Sequence, residues 1–509
     1  MSQHQLMNRA DALLRIQCDR TPWDLIVIGG GATGLGTALD AASRGYRTLL
    51  LEAEDFAKGT SSRSTKLIHG GVRYLRQGQL AMVRHSLRER GLLLDNAGPI
   101  VHPLRFVIPA YGWGKRWYYW AGLKSYDLLA GKLRLAPTRL LSASQTAELL
   151  PSLRTQQLRG GVAYSDGQFD DARLAIALAA GAAAQGATVV NYAPVRELLV
   201  ANGRLRGVIF VDNETGQAVE ALGKVIINAT GVFSERILAL DPCERPSGNN
   251  TPRIAPSQGT HLVLPGDFLG TNHAIMIPDT DDGRVLFAIP WLGSTLLGTT
   301  DIAVDTISRD PRPQSSEVDY LLEHASRYFT RAPKRSDVRS MFAGLRPLVA
   351  TAHTGTSTAK LSREHVIDVA PSGLISVIGG KWTTYRQMGE DIVDLAARLG
   401  DLPYCKSVTA QIKLSDSQPS EFTPHGPEMH APTRATIEYF VKAEMALTLE
   451  DVLARRTRML FLDAAAAIAA APAVAEQMRS VLGQDDMWRE AQIQAFQLVA
   501  QNYMLASNK

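Results

Sequence analysis

The feature that most constrains the fold of this chain is a glycine-rich turn between a strand and a helix near its beginning. Residues 24–28 (Asp-Leu-Ile-Val-Ile) predict a buried strand, and residues 29–34 (Gly-Gly-Gly-Ala-Thr-Gly) fit the pattern G-x-G-x-x-G. A helical pattern follows from about Ala32 to Arg44, and a second buried strand, Thr48 to Leu51, ends at Glu52. These elements predict a complete βαβ unit of about thirty residues.

Such a unit is typical of a dinucleotide-binding site when an acidic residue ends its second strand. Gly29, Gly31 and Gly34 permit a tight turn and let a pyrophosphate reach the helix N-terminus, where unpaired N–H groups and the helix dipole favour anions. We expect Glu52 to accept hydrogen bonds from the adenosine ribose hydroxyls. The motif alone leaves NAD and FAD open, but its N-terminal position and a second glycine turn at Gly379 favour FAD.

Composition excludes several other classes of protein. The 509 residues are 45% hydrophobic and 20% charged, which is ordinary for a globular protein and excludes a disordered one. The three cysteines lie far apart, so we expect no disulfide framework and predict no metal site. Basic residues number 54 against 50 acidic ones, which argues against a nucleic-acid-binding protein. Without a run of eighteen apolar residues or a secretory leader, we expect a cytoplasmic chain.

Three domains are predicted from the order of the elements. Strand signals cluster between His261 and Asp301 and indicate a separate antiparallel sheet, whereas the chain beyond residue 432 is almost wholly helical. We therefore expect an α/β protein: a Rossmann-like FAD-binding domain with an inserted antiparallel-sheet substrate domain and a helical C-terminal domain. The expected bounds are 22–105, 160–250 and 345–400 for the first domain, 106–159 and 251–344 for the second, and 415–509 for the third.

Four sequence blocks identify a family. Residues 60–75 read Thr-Ser-Ser-Arg-Ser-Thr-Lys-Leu-Ile-His-Gly-Gly-Val-Arg-Tyr-Leu, and shorter blocks lie at 298–301, 344–348 and 379–386. In order and approximate spacing they resemble the FAD-dependent, quinone-linked glycerol-3-phosphate dehydrogenases. The resemblance implies FAD as cofactor and oxidation of sn-glycerol 3-phosphate to dihydroxyacetone phosphate by hydride transfer to flavin N5. It also implies that a membrane quinone receives the electrons.

The resemblance also implies a set of substrate-binding residues. A phosphorylated triol is a dianion, and planar arginine side chains bind such a group through paired hydrogen bonds. The family pattern implies that arginines surround the phosphate or hydroxyls, that a tyrosine lies beside the ligand, and that a lysine and a histidine lie near the reacting carbon. These residues are, in the same order, Arg73, Arg346 and Arg363, then Tyr74, then Lys381 and His261.

Catalysis needs a base for the hydroxyl proton. His261 is the first candidate because an imidazole titrates near neutral pH, His69 is the second, and Arg346 facing the substrate is the third. For either histidine, a role limited to hydrogen bonding in the core stays open. Lys381 is expected to supply a fixed positive charge that stabilises the developing alkoxide or the reduced flavin.

Cofactor contacts follow by matching positions in the family pattern. They comprise Thr60, Ser61 and Ser62 at the pyrophosphate or ribityl chain, Ser64, Lys66 and Leu67 near the isoalloxazine, Ala229 to Gly231 near the adenine half, and Gly380, Lys381 and Trp382 at the flavin edge. The sequence departs from the family at Gln258, where many members carry a basic residue.

An aromatic and basic segment gives separate support for a membrane. Trp113, Trp117 and Trp120 are spaced to lie on one helical face, with basic residues beside them. Indole rings and cations favour the lipid headgroup zone, so we predict peripheral attachment at the inner face of the cell membrane. A buried aromatic face that packs on the substrate domain is the alternative.

Other functions stay open on the sequence alone. They are a glycerol-3-phosphate oxidase that uses oxygen, a flavin amine or amino-acid oxidase of the same superfamily, and a flavoprotein with a structural cofactor. The C-terminal helices from about Ile437 are predicted to cap the substrate domain or to form a homodimer interface. Their Arg455-Arg456-Thr457-Arg458 run is predicted to be a solvated or salt-bridged surface.

Overall fold

A computed structural model describes residues 7–76, 78–243, 253–278, 280–281, 283–350, 365–416 and 431–505. The helices are α1 (Arg9–Cys18), α2 (Ala32–Ser43), α3 (Val72–Arg76), α4 (Leu80–Asn96), α5 (Trp113–Ala130), α6 (Ala143–Leu149), α7 (Asp171–Ala184), α8 (Ser234–Leu238), α9 (Ser315–Ser326), α10 (Tyr385–Leu399), α11 (Arg434–Glu444), α12 (Met459–Leu462), α13 (Ala464–Leu482) and α14 (Asp486–Ala500). The strands are β1 (Trp23–Ile28), β2 (Thr48–Leu51), β3 (Leu67–Ile68), β4 (Val101–Ala110), β5 (Arg139–Leu141), β6 (Gly160–Phe169), β7 (Thr188–Val190), β8 (Val195–Ala201), β9 (Arg204–Val211), β10 (Ala218–Asn228), β11 (Arg253–Pro265), β12 (Ala274–Ile277), β13 (Leu286–Trp291), β14 (Ser294–Gly298), β15 (Ile302–Ala303), β16 (Ser340–Ala350), β17 (Val366–Val369) and β18 (Ile375–Ile378).

The first sheet carries the predicted βαβ unit. Its order is β17-β18-β10-β1-β2-β7, and the five strands from β18 to β7 run parallel, with β1 at the centre. Parallel strands are apolar on both faces because helices cover both sides. Glycines let two of these helices approach closely: a Cβ on Gly389 of α10 would lie 2.7 Å from the carbonyl oxygen of Gly36 in α2. The Rossmann-like part of the prediction is confirmed.

The second sheet is almost wholly antiparallel, as predicted. Its order is β15-β11-β14-β13-β12-β4-β6-β3, with β16 paired to β11 and β5 paired to β6. The long pairs β4–β6 and β11–β16 align ten and eleven residues respectively. They form a broad surface on which a ligand cleft can be built.

The expected domain bounds differ from the sheets in three places. β4 crosses the bound at 105/106, and β6 was assigned to the first domain but pairs with β4 along its whole length in the second sheet. β16 crosses the bound at 344/345. In each case the chain passes between the domains after a continuous strand has ended, and the composition of the strand does not show which sheet it joins.

The C-terminal helices share a core with the second sheet. Phe106 and Val162 of that sheet lie in one apolar cluster with Phe440 of α11 and with Leu460 and Phe461 of α12. The second sheet therefore packs directly against the C-terminal helices. Among the described helices, none combines the length and the hydropathy that crossing a bilayer requires.

Candidate active site

A cleft of about 1960 Å³ runs from the carboxyl ends of the parallel strands to the face of the second sheet. Parallel α/β sheets bind ligands at this edge. The cleft brings together most of the residues singled out from the sequence: Gly29, Gly31, Glu52, Thr60, Ser61, Ser64, Leu67, His69, Tyr74, Ala229, Gly231, His261, Arg346, Gly380, Lys381 and Trp382 all line it. Residues from Gly29 to Trp382 thus form one site.

The glycine turn leaves a bare backbone surface at one end of the cleft. Gly29 has a φ of 110°, and a Cβ there would lie 2.7 Å from the carbonyl oxygen of Ala229. Gly31 forms the N-cap of α2, and the next N–H, that of Ala32, donates to Ser61 Oγ at 2.9 Å. A Cβ on Gly34 would lie 1.8 Å from the carbonyl oxygen of Gly29. This cradle fits the pyrophosphate of FAD, because N–H groups at a helix N-terminus favour an anion.

Glu52 stands beside this cradle at the end of β2. Its carboxylate accepts N–H hydrogen bonds from Gly30 at 2.5 Å and from Glu54 at 2.9 Å. Burial nevertheless raises the pKa of Glu52 to about 7, because the desolvation of the charged form outweighs the two donors. The position suits an acceptor for ribose hydroxyls.

The loop from 52 to 66 forms one wall of the cleft, and it is tied to two distant segments and to itself. Thr60 Oγ1 donates to the carbonyl oxygen of Leu345 at 2.6 Å, and Trp382 Nε1 donates to that of Ser61 at 2.8 Å. Lys66 Nζ donates to the carbonyl oxygen of Ser62 at 2.8 Å. These contacts explain why the blocks at 60–75, 344–348 and 379–386 occur together.

His261 lies at the other end of the cleft, on β11. Its Nε2 shares a hydrogen bond of 2.9 Å with Thr65 Oγ1, and its ring stacks on Phe342 with centroids 4.9 Å apart. Burial, with the nearby charges of Lys66 and Arg346, holds the pKa of His261 well below the ordinary histidine value. The imidazole is therefore neutral at physiological pH, which is the form that accepts a proton.

Two cationic side chains, Arg346 and Lys381, also line the cleft. Arg346 Nη2 donates to Thr299 Oγ1 and to the carbonyl oxygen of Thr300, both at 3.1 Å. Its guanidinium lies against Gly259, where a Cβ would come within 2.3 Å of it. Lys381 Nζ donates to Ser86 Oγ at 2.6 Å and lies 5.1 Å from the centre of the Tyr74 ring.

Several predicted residues are placed differently or lie outside the described part. The side chain of Arg73 and the whole of Arg363 lie outside it. Gly34 and Ser62 support the cleft without lining it. Lys66, predicted near the isoalloxazine, also does not line the cleft: its backbone is left-handed, and its buried ammonium pairs with Asp171 at 2.7 Å.

Gln258 faces away from the cleft as well. Its Nε2 donates to Glu317 at 2.7 Å and to the carbonyl oxygen of Arg312 at 3.1 Å. The departure from the family pattern at this position therefore concerns the contact between β11 and α9.

Sequence reasoning missed a buried polar group on the second sheet. Asp166 of β6 lines the cleft, accepts from Arg90 at 2.8 Å and from the Tyr126 hydroxyl at 2.7 Å. The same hydroxyl accepts the N–H of Gly70 at 2.7 Å. Asp166 thus fixes the loop after His69 through a tyrosine of α5, and neither the spacing nor the composition of β6 signals it.

The cleft also has an apolar arm along α5. Its lining includes Tyr118 and Leu128 of this helix together with Leu80 of α4. These side chains are largely exposed, with Leu128 at 82% and Tyr118 at 58%, and the neighbouring Trp117 at 54%. The exposed face differs in part from the predicted tryptophan face, since Trp120 is half-buried and packs partly on the core, and the side chain of Trp113 lies outside the described part.

Comparisons with known proteins agree with this geometry. A family model described as FAD dependent oxidoreductase matches residues 24–386, and one described as the C-terminal domain of alpha-glycerophosphate oxidase matches residues 394–490. A mitochondrial glycerol-3-phosphate dehydrogenase of Arabidopsis thaliana is 44% identical over 79% of this chain and 66% of its own length. That of Mus musculus is 36% identical over 93% of this chain and 72% of its own length. The chain thus spans between 66% and 72% of the length of these two relatives.

A solved structure extends the likeness to the whole described fold. The glycerol-3-phosphate dehydrogenase from Bacillus halodurans, complexed with FAD, superposes with a TM-score of 0.79 at 28% identity and covers 99% of this chain and 100% of that chain. The resemblance inferred from the four blocks, the fold class and FAD as the cofactor are confirmed. This chain belongs to the family of FAD-dependent glycerol-3-phosphate dehydrogenases.

Proposed function

We propose that the protein oxidises sn-glycerol 3-phosphate to dihydroxyacetone phosphate with bound FAD and passes the electrons to a membrane quinone. The observation that carries this proposal is the single cleft, which joins the glycine cradle at one end to His261, Arg346 and Lys381 at the other. A nucleotide cofactor and a small anion then lie in one enclosed volume.

The residues that hold FAD follow from the walls of the cleft. Gly29 and Gly31 offer backbone N–H groups to the pyrophosphate, Glu52 accepts from the ribose, and the loop at Thr60 to Ser64 lies along the rest of the cofactor. Bound FAD supplies the hydride acceptor for alcohol oxidation. Everything else that the reaction requires is positioning, charge and proton handling by the protein.

Substrate binding is assigned to the cations at the far end. Arg346 is held by Thr299 and Thr300, so its planar donors are fixed before the phosphate arrives, which lowers the entropy cost of binding. Lys381 adds a point charge that stabilises negative charge on the substrate oxygen as the C–H bond breaks. The family resemblance also implies that Arg73 and Arg363 bind the phosphate.

His261 is the proposed base. Its imidazole is neutral, lines the cleft and is oriented by the Thr65 hydroxyl and the Phe342 ring. It accepts the hydroxyl proton while Arg346 and Lys381 stabilise the negative charge that develops on the substrate oxygen. His69, which lies between β3 and α3 and also lines the cleft, is the second candidate.

The apolar arm along α5 supports two parts of the proposal, the quinone acceptor and the attachment to a membrane. A quinone is an apolar ring with an isoprenoid tail, and the arm leads from the interior of the cleft to the exposed side chains of Tyr118 and Leu128. Trp117, beside them, is suited to the headgroup zone. We propose that this face lies on the inner side of the cell membrane and that quinone enters through it.

An anaerobic visible spectrum of the purified holoenzyme tests the activity. We expect the flavin band to bleach when sn-glycerol 3-phosphate is added and to return when a soluble quinone follows. A band that persists with this substrate but bleaches with an amine or an amino acid would overturn the proposed substrate in favour of an oxidase of the same superfamily.

Oxygen is the second candidate for the electron acceptor. It is favoured by the match of residues 394–490 to the C-terminal domain of alpha-glycerophosphate oxidase. Stoichiometric peroxide formation at the rate of substrate oxidation would support oxygen, whereas quinone-dependent turnover with little peroxide supports the dehydrogenase.

A further inference from the structure

The Arg455–Arg458 run was predicted to be a solvated or salt-bridged surface; its arginines are salt-bridged but buried, so only its place at the surface is corrected. Arg455, Arg456 and Arg458 are each at most 2% exposed. Residues 451–456 form a π-helical turn, and Arg458 has a left-handed backbone with a φ of 62°. Single π-helical turns are rare and occur frequently at functional sites. Three buried guanidinium groups in one short segment need partners, and two of these partners, Asp55 and Ser62, belong to the 52–66 loop that forms a wall of the cleft.

The first set of contacts joins Arg455 and Arg456 to the beginning of the 52–66 loop. Asp55, fully buried, accepts from Arg455 Nε and accepts two hydrogen bonds from Arg456, at 2.6 and 2.9 Å. Arg456 also donates to the carbonyl oxygen of Glu444 at 2.7 Å, and Arg455 pairs with Glu450. These two arginines hold the pKa of Asp55 low, at about 2, so its carboxylate stays charged. Asp55 lies three residues after the ribose-binding position, Glu52.

The second set of contacts joins Arg458 to the end of the same loop. Arg458 Nη2 donates to the carbonyl oxygen of Ser62 at 3.2 Å and to Asp171 at 2.7 Å. Asp171 also accepts from both the N–H and the hydroxyl of Ser64, and it pairs with Lys66. Four groups of the loop end and the C-terminal domain thus meet at one carboxylate.

The backbone between these two sets shows why the loop needs support. Ala57 and Lys66 both have a φ of 61°, a left-handed conformation that residues with a side chain seldom adopt. Such positions persist where surrounding contacts fix them, and they cluster at ligand sites. Ala57 follows the Asp55 contacts by two residues, and Lys66 is itself part of the Asp171 contacts. The residues between them, including Lys58, Thr60 and Ser61, line the cleft.

Stability alone does not account for so many buried charges. Replacing a buried ion pair by packed apolar side chains is often neutral or stabilising, so such pairs are weak evidence for a stabilising role. The arginines instead hold their partners in a defined geometry, because a planar guanidinium that makes paired hydrogen bonds fixes both the direction and the distance of a carboxylate.

We propose that Arg455, Arg456 and Arg458 are positioning residues of the cofactor site, through which the C-terminal domain holds the 52–66 loop in its FAD-binding shape. They touch the loop and not the cofactor. Retention of FAD therefore depends on a domain that contributes no residue to the glycine motif.

The test compares the rates of FAD release from holoenzyme variants, with differences in thermal stability removed by the choice of temperature. Arg456→Lys and Arg458→Lys keep the positive charge but lose the planar guanidinium and its paired hydrogen bonds. Leu321→Ala, in the separate apolar core beside α9, is the control. Each holoenzyme is diluted at the same interval below its own melting temperature, and free FAD is followed by its fluorescence. We expect release at least tenfold faster from both lysine variants than from the control, and equal release rates would overturn the proposal.

A second variant decides the matter if the lysine variants do not fold. The double variant Asp55→Asn/Arg456→Gln removes a buried charge together with its partner, and Arg455 keeps Glu450 and Asp451. The same tenfold excess over Leu321→Ala is expected, and equality again contradicts the proposal. Because the measurement uses neither substrate nor quinone, its outcome is independent of the proposed reaction.

Discussion

His261 lies between two cations at the reacting end of the cleft, and this environment decides its charge. Lys66 and Arg346 are the charged groups that lower its pKa, in addition to burial. A histidine with a lowered pKa stays neutral as the pH falls through 6.5, so it loses no basic form in that range. We predict no acid limb near pH 6.5 in the rate of flavin reduction by substrate, measured by anaerobic stopped flow.

Removal of the imidazole gives the matching control. His261→Asn is expected to slow flavin reduction by about a hundredfold or more, the usual contribution of a general base. Burial lowers the pKa of Lys66 to about 7, so an effect of this lysine near pH 7 persists in the variant. An acid limb at 6.5 in the wild type that disappears in His261→Asn would contradict a buried neutral imidazole.

Glu52 carries a second prediction, about pH and cofactor affinity. An acid whose pKa is raised to about 7 is protonated below that pH and then loses part of its capacity to accept from ribose hydroxyls. We therefore expect FAD binding to weaken as the pH falls from 8 to 6, measured by quenching of flavin fluorescence on titration. Glu52→Gln, uncharged throughout, should bind FAD more weakly with little dependence on pH. Equal pH dependence in both proteins would assign the effect to another group.

At the residue level, the structure has the geometry predicted from the sequence where the contacting elements are neighbours in the chain, and departs from it where the partners are distant. The glycine turn and Glu52 lie within one βαβ unit, whose periodicity and spacing are visible in the sequence. The family pattern implies a place for Lys66 near the isoalloxazine, yet its ammonium pairs with Asp171, 105 residues away in the chain. The same holds for Arg455, whose partner Asp55 is 400 residues distant in the chain.

At the scale of elements, α5 has two faces with different tasks. The buried face carries Tyr126, whose hydroxyl donates to Asp166 and accepts the Gly70 N–H. The exposed face carries Trp117, Tyr118 and Leu128. The sequence predicted an aromatic helix here but not which of its faces is turned to the core, because tryptophan side chains are common both in protein cores and in the lipid headgroup zone. Only the packing of Trp120 against the core decides which side faces outward.

The exposed face of α5 is predicted to bind lipid. Burial of an apolar side chain of this kind contributes roughly 1 kcal/mol or more, so removal of three weakens partitioning by about a hundredfold or more. We expect the triple variant Trp117→Ser/Tyr118→Ser/Leu128→Ser to lose flotation with liposomes that contain anionic lipid.

A matched control removes exposed apolar side chains elsewhere. Tyr404, Met487 and Leu498 are 76%, 79% and 67% exposed and lie away from α5 in the chain. Their triple serine variant should float as the wild type does. Equal flotation of the α5 variant and the wild type would remove this helix from the membrane argument, and loss of flotation in the control would move the contact to the C-terminal helices.

At the scale of the molecule, the fold class was predictable but the extent of each domain was not. Alternation and buried runs identified a parallel and an antiparallel sheet. β4, β6 and β16 cross or reverse the expected bounds because a strand buried on both faces has the same composition in either sheet. The contacts between domains are equally non-local, and they make the C-terminal helices part of the core.

This shared core predicts that the domains unfold together. Phe461 of α12 packs on Phe342 of the second sheet with ring centroids 4.8 Å apart, and Phe342 stacks on His261. Phe461→Ala leaves a cavity at this junction and should lower the free energy of unfolding by about 3–5 kcal/mol. Since the same junction adjoins Arg458 and Lys66, the loss should reach the cofactor site as well as the helices. Far-UV circular dichroism and FAD release, followed in one thermal scan, should shift to lower temperature together. Helix loss that precedes FAD release in the variant would show instead that the C-terminal domain unfolds on its own.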